Sequence, residues 1–111
     1  MKDKLLKIID HYGLMTQLKY FQSEVFELNE AIIKYDERNN YCVSSDDWKH
    51  IVEEIADVCV FIRQFMEYFE ISQDDVVKIM ENKVKRQIDR IDAEIILRGS
   101  DSNEWRKFKS L

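Results

Sequence analysis

The chain has 111 residues, of which 45% are hydrophobic and 35% charged; that suits one folded domain spanning 1–111 and excludes an intrinsically disordered segment. Its net charge of −5 argues against non-specific duplex binding, which relies on many phosphate-neutralising Lys and Arg, so no nucleic-acid partner is expected. No apolar run approaches the roughly 20 residues of a membrane span, so no membrane partner is expected either.

There is no Pro and only two Gly, Gly13 and Gly99, which favours long helices over turn-dense sheets. The first helix is predicted from about Lys2 to Tyr12, stopped by Gly13. The second is predicted from about Leu14 to Arg38. Its apolar stripe, Leu14, Leu18, Phe21, Val25, Leu28, Ile32 and Tyr35, alternates steps of four and three. The polar stretch Asn39 to Ser45 reads as a loop. The third helix is predicted from near Asp46 to about Phe69, with Ser45 as N-cap and Asp46 and Asp47 at the positive end of the dipole. Its stripe is Trp48, Ile51, Ile55, Val58, Ile62, Phe65 and Phe69, widened by Val52, Cys59 and Met66.

The fourth helix has the clearest start. Ser72 is its N-cap, Asp75 takes the N3 place of a capping box, and Ile71 and Val76 form a hydrophobic staple. Its stripe is Val77, Met80, Val84, Ile88, Ile91 and Ile95, and Arg98-Gly99 ends it. A short tail, 100–111, offers Trp105 and Phe108 to a core. Short connections imply antiparallel neighbours, so the expected fold is an all-α antiparallel four-helix bundle with a C-terminal tail. The wide stripe on the third helix points to a second buried face and hence to a homo-oligomer, a dimer or tetramer. Met1-Lys2-Asp3-Lys4 leads into an amphipathic segment, not the apolar stretch of a signal peptide, and Cys42 and Cys59 form no CxxC. Both features fit a reducing cytoplasm.

Two carboxylate pairs stand out. Glu24 and Glu27 lie three apart on the second helix, and Glu54 and Asp57 three apart on the third, so each pair shares a helix face. Spacing alone is weak, since Glu27/Glu30, Glu67/Glu70, Asp89/Asp92 and Asp101/Glu104 share it, and most such pairs are solvated helix faces. Position separates the two pairs from the rest. Each of their members immediately precedes a core residue: Val25, Leu28, Ile55 and Val58. Packed antiparallel, the two helices bring the pairs together at the edge of the core. Four converging carboxylates repel one another unless a cation sits between them, and all-oxygen donors select Mg²⁺ or Mn²⁺ over Zn²⁺. On the fourth helix Lys83, Gln87 and Arg90 occupy the equivalent flank, one before Val84, Ile88 and Ile91, with Arg86 adjacent and Asn82 preceding Lys83. Singly, each reads as a solvated surface residue. Together with a carboxylate cage they suit a metal-bound polyphosphate.

At these residues the chain resembles the MazG-type all-α nucleoside triphosphate pyrophosphohydrolases. The resemblance is carried by Tyr12-Gly13-Leu14-Met15-Thr16-Gln17, then Glu24-Val25-Phe26-Glu27-Leu28, then Glu53-Glu54-Ile55-Ala56-Asp57-Val58, and spans roughly Gly13 to Arg90. It implies Mg²⁺-dependent hydrolysis of an NTP or dNTP to the monophosphate and pyrophosphate. Glu24, Glu27, Glu54 and Asp57 would be the metal ligands. Glu24, Glu27 or Glu53 would take the water's proton. Asn82, Lys83, Arg86 and Arg90 would meet the phosphates, while Gln17, Trp105 and Lys109 would contact the nucleotide. The chain departs from the family pattern in carrying Ser23-Glu24 where many members have two glutamates, and Gln87 where an Arg is frequent.

Related phosphoribosyl-ATP, dUTP and dCTP pyrophosphohydrolases are alternatives, although the dimeric dUTPases usually show ExxxD rather than ExxD. Gln17, Tyr20, Phe21, Trp48 and Phe61 are the candidates for a base pocket. A di-iron carboxylate bundle needs two Glu-x-x-His motifs; the two histidines, His11 and His50, supply none. A non-enzymatic helical interaction module is the rival from another class, and would not require the complete set of four carboxylates.

Overall fold

A computed structural model of the chain describes residues 1–38 and 45–100. These form four α-helices and no strand: α1 (Lys2–Tyr12), α2 (Leu14–Arg38), α3 (Ser45–Tyr68) and α4 (Gln73–Ser100). The helix boundaries follow local chemistry. Gly13 ends α1 at φ 87°, a conformation that L side chains rarely adopt, and its N–H reaches the Ile9 carbonyl at 2.8 Å. Helix α3 closes with a Schellman arrangement in which Ile71 N–H bonds the Met66 carbonyl at 2.8 Å and Glu70 N–H the Glu67 carbonyl at 3.3 Å. Here Glu70 takes the left-handed position that glycine usually fills, at φ 56°. Ser72 then caps α4, its Oγ accepting the Asp75 N–H at 3.1 Å. Two boundaries differ from expectation. α3 begins one residue earlier, at Ser45, and α4 runs through Gly99 to Ser100. A single helical glycine costs only about 1 kcal/mol against Ala, which the apolar repeat upstream can offset.

The chain divides into two compact units, one ending at Ile71 and one beginning at Ser72. In the first, α1, α2 and α3 pack on one another. Leu5 and Ile9 of α1 and Ala31 of α2 are its buried apolar side chains. Phe21 meets Phe65 edge-on at 5.4 Å between ring centroids and Phe61 at 6.1 Å. Lys2 and Glu67 form a 4.0 Å surface ion pair between α1 and α3, of the exposed kind that contributes little. Along α2 the contacts climb from Gln17 through Phe21 to Glu27, while along α3 they descend from Gln64 through Phe61 to Glu54, so these two helices run antiparallel.

The inward faces of α2 and α3 are turned about one residue from the purely apolar stripe. Gln17 and Gln64, 3% and 2% exposed, face inward and hydrogen-bond through Gln17 Nε2 to Gln64 Oε1 at 2.8 Å. Glu54 is buried too, whereas Ile32, Ile55 and Ile62 of the expected stripe are 42–45% exposed. A polar residue is tolerated inside only when it is partnered, and the paired amides meet that condition. In the second unit, α4 carries Val77, Met80, Val84, Ile88, Ile91 and Ile95 along one stripe, each 40–62% exposed.

The amide pair makes a checkable difference between single and double substitution. Gln64→Met leaves the Gln17 amide buried without its partner and is expected to lower stability by about 1–3 kcal/mol, whereas Gln17→Met with Gln64→Met is expected to be nearly neutral. Urea unfolding midpoints of the three proteins measure both.

Candidate metal centre

The central feature of the first unit is a carboxylate cluster between α2 and α3. Glu24 and Glu27 reach it from successive turns of α2, and Glu54 from α3. One oxygen from each lies within 4.8 Å of the others. On α2, Glu24 and Glu27 each sit one residue before a half-buried apolar position, Val25 and Leu28, whereas on α3 Glu54 itself is turned inward and Ile55 outward. Glu54 is 8% exposed, Glu24 is half-buried and Glu27 is exposed, so the cluster opens from the interior to solvent. Two of its oxygens, Glu24 Oε2 and Glu54 Oε2, are buried and have no hydrogen-bond partner. Buried acceptors are nearly always satisfied, so two unpartnered oxygens in one cluster fit a cation as their partner.

Burial pushes the Glu24 carboxyl above its ordinary value, reinforced by the charges of Glu27 and Asp57, a hydrogen bond with Glu27 and the charge of Glu54. Asp57 is thus close enough to be felt by Glu24, although it stands outside the three-residue set and is exposed. Glu53 is exposed on α3 and does not join the set. His50, one turn before Glu54, places Nε2 3.9 Å from Glu54 Oε1. An all-oxygen set of three carboxylates, one of them solvent-facing, fits a hard divalent cation that keeps some of its waters.

The remaining expected site residues fall elsewhere. Gln17 lies inside the first unit, bonded to Gln64. Phe21 and Phe61 belong to its aromatic core, while Tyr20 and Trp48 are exposed. Asn82, Lys83, Arg86 and Arg90 are exposed along three turns of α4 in the second unit. Trp105 and Lys109, like Cys42, lie outside the described residues. Gln64 is not among the residues expected at the site. Its signal was available: Gln64 precedes Phe65 as Asp57 precedes Val58, one heptad away.

The chain matches no protein-family model, and neither a curated protein nor a solved structure matches it.

The raised carboxyl has a sign that can be measured. An acid whose folded pKa exceeds its unfolded value is at its most stabilising below the unfolded pKa, and that contribution is lost as pH rises through the folded one. Metal-free protein should therefore gain from Glu24→Gln at neutral pH, and the gain should shrink as pH falls toward the ordinary carboxylate range. Thermal unfolding of both proteins in chelator, at pH 5 to 8 in steps, reads the difference.

Proposed function

We propose that the chain is a divalent-metal-dependent nucleoside triphosphate pyrophosphohydrolase of the MazG-like kind. The observation that carries this reading is the meeting of Glu24, Glu27 and Glu54, with two buried oxygens unpartnered. Glu24, Glu27 and Glu54 would hold Mg²⁺ or Mn²⁺, with Asp57 beside Glu24 as the fourth acidic group. Such an ion neutralises phosphate oxygens and acidifies an attacking water. Water attacks the α-phosphorus, the bond to the bridging oxygen breaks, and pyrophosphate leaves with the electron pair. The attacking water's proton passes to a carboxylate of the chain: Glu24, Glu27 or Glu53.

The cationic side chains of Lys83, Arg86 and Arg90, with the Asn82 amide, are suited to the charge on a triphosphate. Gln17, Trp105 and Lys109 are the further nucleotide contacts that the motif resemblance implies. The working form we propose is an antiparallel four-helix bundle completed by a second copy of the chain, a dimer or tetramer in the cytoplasm. The exposed apolar stripe of α4, together with Val52, Ile55 and Ile62 on α3, supports the need for a covering partner. That same apolar exposure favours the second reading, a non-enzymatic interaction module.

Incubation with Mg²⁺ and a panel of canonical and modified NTPs and dNTPs separates the two. The enzyme reading predicts monophosphate plus pyrophosphate, and a loss of at least about 100-fold in Glu54→Gln, beyond what removal of an outer hydrogen-bond partner costs. Absence of product from every nucleotide, with metal still bound, would favour the module.

A further inference from the structure

We propose that the buried Gln17–Gln64 amide pair is the register key of the α2–α3 interface: it holds the two helices in the one antiparallel alignment that assembles the carboxylate cluster, and thereby sets the affinity of that cluster for a divalent cation. The two glutamines are then positioning residues for the centre. This deepens the metal-centre reading and rests on it.

The alignment follows from counting along the helices. Gln17 Nε2 donates to Gln64 Oε1 at 2.8 Å, so residues 17 and 64 stand level across the interface. Antiparallel helices rise equally per residue, so equal steps onward along α2 and back along α3 stay level. Seven such steps, about two turns, arrive at Glu24 and Asp57; ten, just under three turns, arrive at Glu27 and Glu54. Oxygens of Glu24, Glu27 and Glu54 within 4.8 Å of one another, and an Asp57 charge felt by Glu24, are what that alignment requires.

Something directional has to hold it. The acidic groups repel one another and so favour sliding apart. The apolar repeat does not choose, because its stripes recur about every seven residues. A slip of one heptad, roughly 10 Å along the axis, again sets apolar residues against apolar residues. In either direction that slip parts the two amides and carries Glu54 away from Glu24 and Glu27. At 3% and 2% exposed, neither amide can turn to water instead. A buried amide without its partner keeps the cost of desolvation, so the slipped alignments are disfavoured. Single polar residues in an otherwise apolar seam are an attested means by which packed helices fix register, at some loss of stability. Two facing glutamines do so without adding charge to an interface that is already acidic.

Stability and assembly of the centre therefore separate. The test compares the full-length wild type with Gln17→Met/Gln64→Met and, as a control, with Ile9→Val, which trims a buried side chain of α1. Urea midpoints report stability, and calorimetric titration with Mg²⁺ and with Mn²⁺ reports the centre. Nuclear Overhauser contacts between the Phe21 and Phe65 rings, 5.4 Å apart at their centroids, report register in the metal-free protein. The double variant is expected to keep a urea midpoint near that of the wild type, to lose about tenfold or more in affinity for both ions, and to show a weakened or split Phe21–Phe65 contact. Ile9→Val is expected to lower the midpoint while its affinities stay within about twofold.

Wild-type affinity in the double variant, or an unaltered ring contact, overturns the inference and leaves the metal centre standing with the amides as packing alone. A double variant that does not fold overturns it as well, because the pair then carries stability and not register. Equal loss of affinity in Ile9→Val does the same, since any weakening of the unit would then suffice. A wild type that binds neither ion overturns the metal-centre reading and the inference with it, a failure visible before any substitution is made.

Discussion

At the interface of α2 and α3 the carboxylates of Glu24, Glu27 and Glu54 come within 4.8 Å of one another, and like charges so placed resist the packing that brings them together. Unit charges at about this spacing near a protein surface repel by roughly 3–4 kcal/mol, a large fraction of a small domain's net stability. Three features answer that repulsion. Burial and its acidic neighbours raise the Glu24 carboxyl above its ordinary value, so its charge is the first to be lost as pH falls. The cluster is open on the Glu27 side, so water screens part of the field. The Phe21–Phe61–Phe65 contacts and the buried amide pair, a short way along the same interface, hold the helices together. A cation would answer the repulsion more completely than any of these.

The amide pair shows how the register serves the cluster. Gln17 and Glu24 are one heptad apart on α2, and Asp57 and Gln64 one heptad apart on α3. Gln17 bonded to Gln64 therefore sets Glu24 level with Asp57 across an antiparallel pair, in line with the influence of Asp57 on Glu24. The same alignment turns Ile55 and Ile62 partly outward. Apolar burial has been given up on α3 so that polar groups can meet inside. That trade is common where a site, rather than stability alone, has shaped a core. Helix α4 presents the complementary situation, with six apolar side chains of one stripe exposed in the single chain.

Much of the fold was legible because helix signals are local. Gly13 marked the end of α1 and Ser72 the start of α4, and both act through backbone groups within a turn of themselves. The apolar repeat placed α2, α3 and α4. Repeat phase was less reliable: it chose Ile55 and Ile62 for the interior where the structure buries Glu54 and Gln64, because a count of apolar residues gives no weight to a partnered polar one. The end of α4 was also missed, since Gly99 stops a helix only when the chain needs to leave it. The meeting of Glu24 and Glu27 on one face was legible because each precedes a half-buried apolar residue, Val25 and Leu28, whereas the burial of Glu54 was not, because α3 is turned away from its apolar stripe.

The proposal on which the rest depends is that this cluster binds a divalent cation. Calorimetric titration of Mg²⁺ into metal-free protein, repeated in two buffers of different ionisation enthalpy, measures the ion and the proton together. The account predicts saturable binding with release of protons, the number released rising as pH is lowered from neutral, because the Glu24 carboxyl must give up its proton to serve as a ligand. Binding without proton release at any pH, or no saturable binding at all, would contradict it.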